Sequence, residues 1–109
     1  MTTVSGVLQR RPLVILLYPK IDHEKNYVYF WMPFSLLTIA QSLMNEGIAD
    51  VALFDGNQSD DQEWDRFLND NLDRAACIGV SIMTGGGQIG HALRLVAQAK
   101  KRANCPPVV

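Results

Sequence analysis

Between Ser81 and Arg102 the chain reads SIMTGGGQIGHALRLVAQAKKR, with glycines at 85, 86, 87 and 90. Glycine loses more backbone freedom on ordering than any other residue, so a cluster of it needs a reason. Bare backbone that a ligand can approach closely is one such reason, and a helix N-terminus just behind it suits a phosphate. Gly85, Gly87 and Gly90 also satisfy G-x-G-x-x-G between a strand-like and a helix-like run, the context of a dinucleotide site. That fingerprint belongs to the first strand-to-helix turn and needs an acidic residue about 20 positions on. Here it follows the third strand-like run, and the sequence stops at Val109 before such a residue.

A second feature is the run Tyr27, Tyr29, Phe30, Trp31 and Phe34, five aromatics within eight residues. One small core does not easily absorb them, and they suit the face of a large flat apolar ligand or of a partner domain. Asp55 ends the second strand-like run, where a carboxylate accepts from a ribose or other hydroxyl, or simply starts a turn. His23, within the charged stretch DHEK, reads as a solvated loop residue. His91, one turn into the last helix-like run, reads as a surface or boundary residue. Cys77 reads as a small buried hydrophobe, and two cysteines, Cys77 and Cys105, make neither a disulfide framework nor a metal site by themselves.

The elements that must position these residues alternate. PLVILLYP, from Pro12 to Pro19, is a continuous apolar run, as expected of a strand buried on both faces. A helix is expected to open at Pro33, with Leu36, Ile39, Ala40 and Leu43 inward and Gly47 as its stop. DVALFD, from Asp50 to Asp55, is a second strand. Asp60 and Glu63 have capping-box spacing for a helix that turns Trp64, Phe67, Leu68 and Leu72 inward. A third strand is expected over Ala76 to Met83, then a helix with Ile89, Ala92, Leu93, Val96 and Ala97 inward. Lys100, Lys101 and Arg102 suit its C-terminal dipole. PPVV begins a fourth strand.

This order predicts an α/β fold, a flavodoxin-like (Rossmann-like) parallel sheet flanked by helices. Residues 1–11 are expected to form a flexible tail and residues 12–109 the domain. The short last strand predicts truncation in or after the fourth strand, with the rest supplied by a longer polypeptide or by self-association. Ligands of such sheets bind beyond the carboxyl ends of the strands, which is where the glycines, the aromatic run and Asp55 fall. A phosphoacceptor receiver would need acidic residues after the first strand and an Asp ending the third, where this chain has Tyr18-Pro19 and Ser81-Ile82-Met83.

Bulk properties narrow the partners. At 109 residues, 48% hydrophobic and 19% charged, the chain is one domain with a core. A formal charge of -1 gives no basic excess for nucleic acid, no apolar run reaches a bilayer span, and no signal segment opens the chain, so a cytoplasmic location is expected.

The stretches MPFSLLTIAQSLMNEG, VALFDGN and IGVSIMTGGGQIGHALRLVAQAKK together resemble the N-terminal cobalamin-binding domain of radical S-adenosylmethionine enzymes. These include cobalamin-dependent methyltransferases and magnesium-protoporphyrin ester cyclases. The likeness runs from about Leu13 to Val109, and its most specific piece is Ser81-x-Met83-Thr84-Gly85. It implies that Ser81 hydrogen-bonds the dimethylbenzimidazole end of the cofactor, with Met83, Thr84, Gly85, Gly86 and Gly87 along the nucleotide tail. Pro19, Asn26, Tyr27, Tyr29, Trp31 and Asp55 would complete the cofactor site. Asp22-His23-Glu24 departs from D-x-H-x-x-G, so the resemblance implies base-off cobalamin with no histidine on cobalt. It also implies a 4Fe-4S cluster and S-adenosylmethionine in a downstream barrel domain, the partner of this one, so that this piece alone binds rather than catalyses. A protein-interaction module using the aromatic loop is the rival expectation, and a dinucleotide-binding domain the third.

Overall fold

A computed structural model describes residues 11–21, 34–82 and 88–109. It contains strands β1 (Leu13–Tyr18), β2 (Asp50–Asp55) and β3 (Ala75–Val80), and helices α1 (Phe34–Asn45), α2 (Asp61–Asn71) and α3 (Ile89–Lys100). A single 3-10 turn, Leu72–Arg74, leads from α2 into β3. The strands pair in parallel in the order β2-β1-β3, so the expected α/β fold with a helix-flanked parallel sheet is the observed one.

The continuous apolar run of β1 has its cause in this order. β1 is the middle strand, from Leu13 opposite Asp50 to Tyr18 opposite Asp55 on one edge and from Val14 opposite Cys77 to Leu17 opposite Val80 on the other. Alternation sends Leu13, Ile15 and Leu17 to one face and Leu16 and Tyr18 to the other. The first face meets α2 and α3 and holds the main core, with Trp64, Leu68, Leu72, Leu95 and Ala99 buried. The second meets α1 through Leu36 and Ala40, which lie over β1 and β2.

α2 begins as its sequence predicts. The Glu63 backbone N–H donates to Asp60 Oδ1 at 2.8 Å, and Asp60 N–H donates to Glu63 Oε1 at 3.3 Å. Inside the core the Trp64 indole N–H donates to the Leu95 carbonyl at 3.0 Å, and the rings of Phe54, Trp64 and Phe67 pack within 5.6 Å of one another. Arg94 with Asp61, and Arg102 with Asp65 and Asn69, join the two helices along their exposed edge. Gly47, at φ 69°, closes α1 where expected.

Several expectations are corrected. α3 is rotated relative to the predicted stripe: His91, Ala92, Leu95 and Ala99 face inward, while Ile89 and Leu93 are exposed. Both faces carry apolar side chains, so tertiary contacts choose between them, and in the observed orientation Gln88 and His91 reach Pro19 O and Lys20 N–H. Ile39 of α1 is exposed and Leu43 half-buried, because α1 sits over β2 and β1 and leaves that flank uncovered. β3 starts at Ala75 and ends at Val80, not Met83, since β1 ends at Tyr18 and the last contact is Ser81 N–H to Leu17 O at 3.1 Å. Cys77 is half-buried rather than buried. The expected stub of a fourth strand, by contrast, is present: Val108 bridges Ile78 in parallel, with Ile78 N–H donating to Pro107 O and Val109 N–H to Ile78 O. Pro33 lies outside the described residues, and α1 is described from Phe34. Among the described residues no helix is long and apolar enough to cross a membrane.

Trp64 carries the largest buried side chain and a buried hydrogen bond. Trp64→Phe is expected to cost about 1–3 kcal/mol, read as a lower urea midpoint with an unchanged slope.

Candidate functional site

The parallel order brings the carboxyl ends of all three strands to one edge, and with them Pro19, Asp55 and Ser81. Pro19 is buried, and Asp55 and Ser81 are half-buried. Asp55 and Ser81 lie on the α1 face, one strand to either side of β1. The other predicted site residues, Asn26, Tyr27, Tyr29, Trp31, Met83, Thr84, Gly85, Gly86 and Gly87, lie outside the described residues, as do His23 and Phe30.

The best-organised part of this edge is the exit of β1, which sequence reasoning passed over. Gly56 N–H donates to the Tyr18 carbonyl at 2.7 Å. The Gln88 side-chain amide donates to the Pro19 carbonyl at 2.7 Å. Lys20 N–H donates to His91 Nδ1 at 2.7 Å, and Ile21 N–H donates to Asn57 Oδ1 at 2.9 Å. Four successive residues thus have a backbone group held from β2's exit or from the start of α3. Asp55 starts the turn: its Oδ1 accepts from Asn57 N–H at 2.9 Å and from the Asn57 side chain at 3.3 Å.

Gly56 is required by space. A Cβ there would lie 2.8 Å from Lys20 N, 2.9 Å from His91 Cε1 and 3.0 Å from Tyr18 O. At Gly90 the same atom would meet nothing within 4 Å. Gly90 therefore has no close contact that requires a glycine. A signal for the missed residues existed: Gln88 and His91 are three apart, hence on one helical face, at the start of the helix that follows β3.

His91, expected at the surface or boundary, is 9% exposed. Burial holds its imidazole below the ordinary histidine range; Asp61, with Oδ1 3.5 Å from Nε2, opposes that, while Arg94 and Lys20 add to it. Asp61 in turn is held below the usual carboxylate range, chiefly by its hydrogen bonds from Arg94.

Among the recesses that the described residues form along this edge, two differ sharply in character. One, of about 730 Å³, is polar, opens over the N-terminus of α2 and is walled by Lys20, Asn57, Asp61, Glu63, His91 and Arg94. Within its walls Arg94 pairs with Asp61, and the Asp60 and Glu63 carboxylates accept from backbone N–H groups in the capping box. The other, of about 430 Å³, is an apolar groove on the α1 face of β3. Its floor is Val14, Leu16 and Gly79, its far wall is Leu36 and Leu43, and Ser81 stands at its carboxyl end. It exists because α1 covers β2 and β1 and because Cys77 and Gly79 of β3, and Ser81 just beyond it, are small. A Cβ on Gly79 would press to 3.1 Å from Leu16 Cδ2, so a side chain there would push on Leu16 and narrow the groove. Among the described residues no three of His, Cys, Asp and Glu gather into a metal site. No family model matches the chain, and neither a curated protein nor a solved structure matches it.

Two substitutions of one chemistry should have opposite signs. Gly56→Ala is expected to destabilise by about 1–3 kcal/mol through overpacking, and exposed Gly90→Ala within α3 to stabilise by about 0.5–1 kcal/mol; chemical denaturation checks both. Stability should also fall on mild acidification. Because the folded state holds His91 below its unfolded value of 6.5, the unfolded chain binds the extra proton. The His91 contribution is whole above that pH and is lost as pH falls through the folded value, and His91→Asn should flatten this part of the profile.

Proposed function

We propose that this chain is a cobalamin-binding α/β domain, the N-terminal domain of a radical S-adenosylmethionine enzyme. Its corrin is held base-off with no histidine on cobalt. The observation that carries the reading is the apolar groove beside β3, floored by Gly79 and ended by Ser81. A planar, mostly apolar nucleotide base needs a dry slot against a sheet with one polar group at its end, and this groove has those properties. The fragment Ser81-x-Met83-Thr84-Gly85 that carries the resemblance starts at its mouth. His91 is engaged by Lys20 and Asp61 and offers cobalt no nitrogen. The 4Fe-4S cluster and S-adenosylmethionine are assigned to the barrel domain of the parent chain. When bound, cobalamin would supply methyl transfer or a related radical step there, and this domain would position the cofactor.

Absorbance tests the reading. Protein mixed with hydroxocobalamin should keep a corrin spectrum through desalting, and Ser81→Leu or Gly79→Leu should weaken retention about tenfold or more, the equivalent of about 1.4 kcal/mol. Gly90→Ala, which leaves the groove intact, should retain colour like the wild type. Loss of colour from the wild-type protein sinks the proposal.

A second reading, a protein-contact module, draws on the outer side of α1. Phe34 is 70% exposed, and Leu37 and Met44 of the same helix are exposed as well. A helix apolar on more than one side is covered on more than one. Colourless wild-type protein whose partner binding is lost in Leu37→Glu would select this reading.

A further inference from the structure

We infer that Gln88 and His91 latch the first turn of α3 to the end of β1, and that protonation of His91 releases the Lys20 half of the latch. The inference goes beyond the cobalamin reading and does not rest on it. Its basis is which atom accepts. Lys20 N–H points at Nδ1 at 2.7 Å, so Nδ1 is unprotonated and the neutral ring carries its proton on Nε2, facing Asp61. A proton added to Nδ1 sets N–H against N–H, and the bond cannot survive. The ring has little room to turn aside, since Gly56 lies against Cε1. Its Nε2 side, by contrast, keeps Asp61 and draws closer to it once charged.

The charged surroundings fix the direction. From α2 Asp61 faces the ring, with Asp60 and Glu63 farther along the same wall; from β1's exit Lys20 faces it, and from its own helix Arg94. β2's exit presents the neutral Gly56 and Asn57. One carboxylate in contact favours the cation and two basic groups oppose it, so release belongs to mildly acid conditions. The Gln88 half does not titrate and keeps hold of Pro19 O. The same is true of Gly56 N–H on Tyr18 O. Acidification therefore frees one N–H at Lys20 and leaves the strand end in place. In this sense His91 is a positioning residue for the backbone at Lys20.

The test is ligand-free. Nitrogen-15 NMR of the full chain, titrated from about pH 8 to 5, reads the His91 tautomer together with exchange protection of the Lys20 and Gly56 amides. The neutral ring should show an unprotonated Nδ1. Protection at Lys20 should drop about tenfold along the His91 titration while Gly56 stays protected. His91→Asn, whose Oδ1 accepts but does not titrate, should keep Lys20 protected throughout, and His91→Phe should leave it unprotected at every pH. A Lys20 amide indifferent to His91 protonation overturns the inference. So does a neutral ring protonated on Nδ1, or Gly56 opening in step with Lys20. The wild-type titration and His91→Asn decide the matter even where His91→Phe fails to fold.

Discussion

Strand β1 has hydrogen-bonded neighbours on both edges and packed side chains on both faces. Where the strand ends its backbone stays largely covered, since Tyr18, Pro19 and Ile21 are buried and only Lys20 is exposed. Buried backbone groups left unpaired cost about as much as a lost hydrogen bond each. The rest of the site edge follows from meeting that requirement. Gly56, Asn57, Gln88 and His91 are where they are because Tyr18, Pro19, Lys20 and Ile21 each need a partner.

The same requirement explains why the two faces of the sheet differ. On one, α2 and α3 are drawn together by Trp64 and by ion pairs along their edge, and the core is dense. α3 is further tied to β1's exit, so this face closes completely over the central strand. On the other, α1 alone covers β2 and β1, and β3 turns only small side chains outward. The groove is thus a consequence of helix placement and side-chain size together. A single larger residue at Gly79 would narrow it while leaving the topology unchanged.

Much of the fold was legible because local chemistry and tertiary need agreed. The apolar run of β1, the capping box of Asp60 and Glu63 and the glycine stop at Gly47 each have one physical solution. α3 was not legible in this way. Ile89 and Leu93 mark one apolar side and Ala92, Leu95 and Ala99 another, and periodicity alone cannot rank two nearly equal faces. What ranks them is a pair of polar side chains satisfying a strand end about 70 residues earlier in sequence, a long-range contact that no pattern local to the helix encodes. The candidate site divides along the same line. Pro19, Asp55 and Ser81 could be placed at a common edge from strand order alone. The apolar slot could not, because its walls come from three elements.

By itself, then, the sequence determined the alternation of elements, the parallel sheet and the common edge at which Pro19, Asp55 and Ser81 fall. Each of these follows from periodicity, caps and strand sterics within short windows. Only the tertiary structure decided that His91 is buried with Nδ1 on Lys20, that Gly56 rather than Gly90 is sterically obligatory, and that β3 lies along an open groove. Those depend on distances between segments remote in sequence, and such distances exist only once the chain has packed.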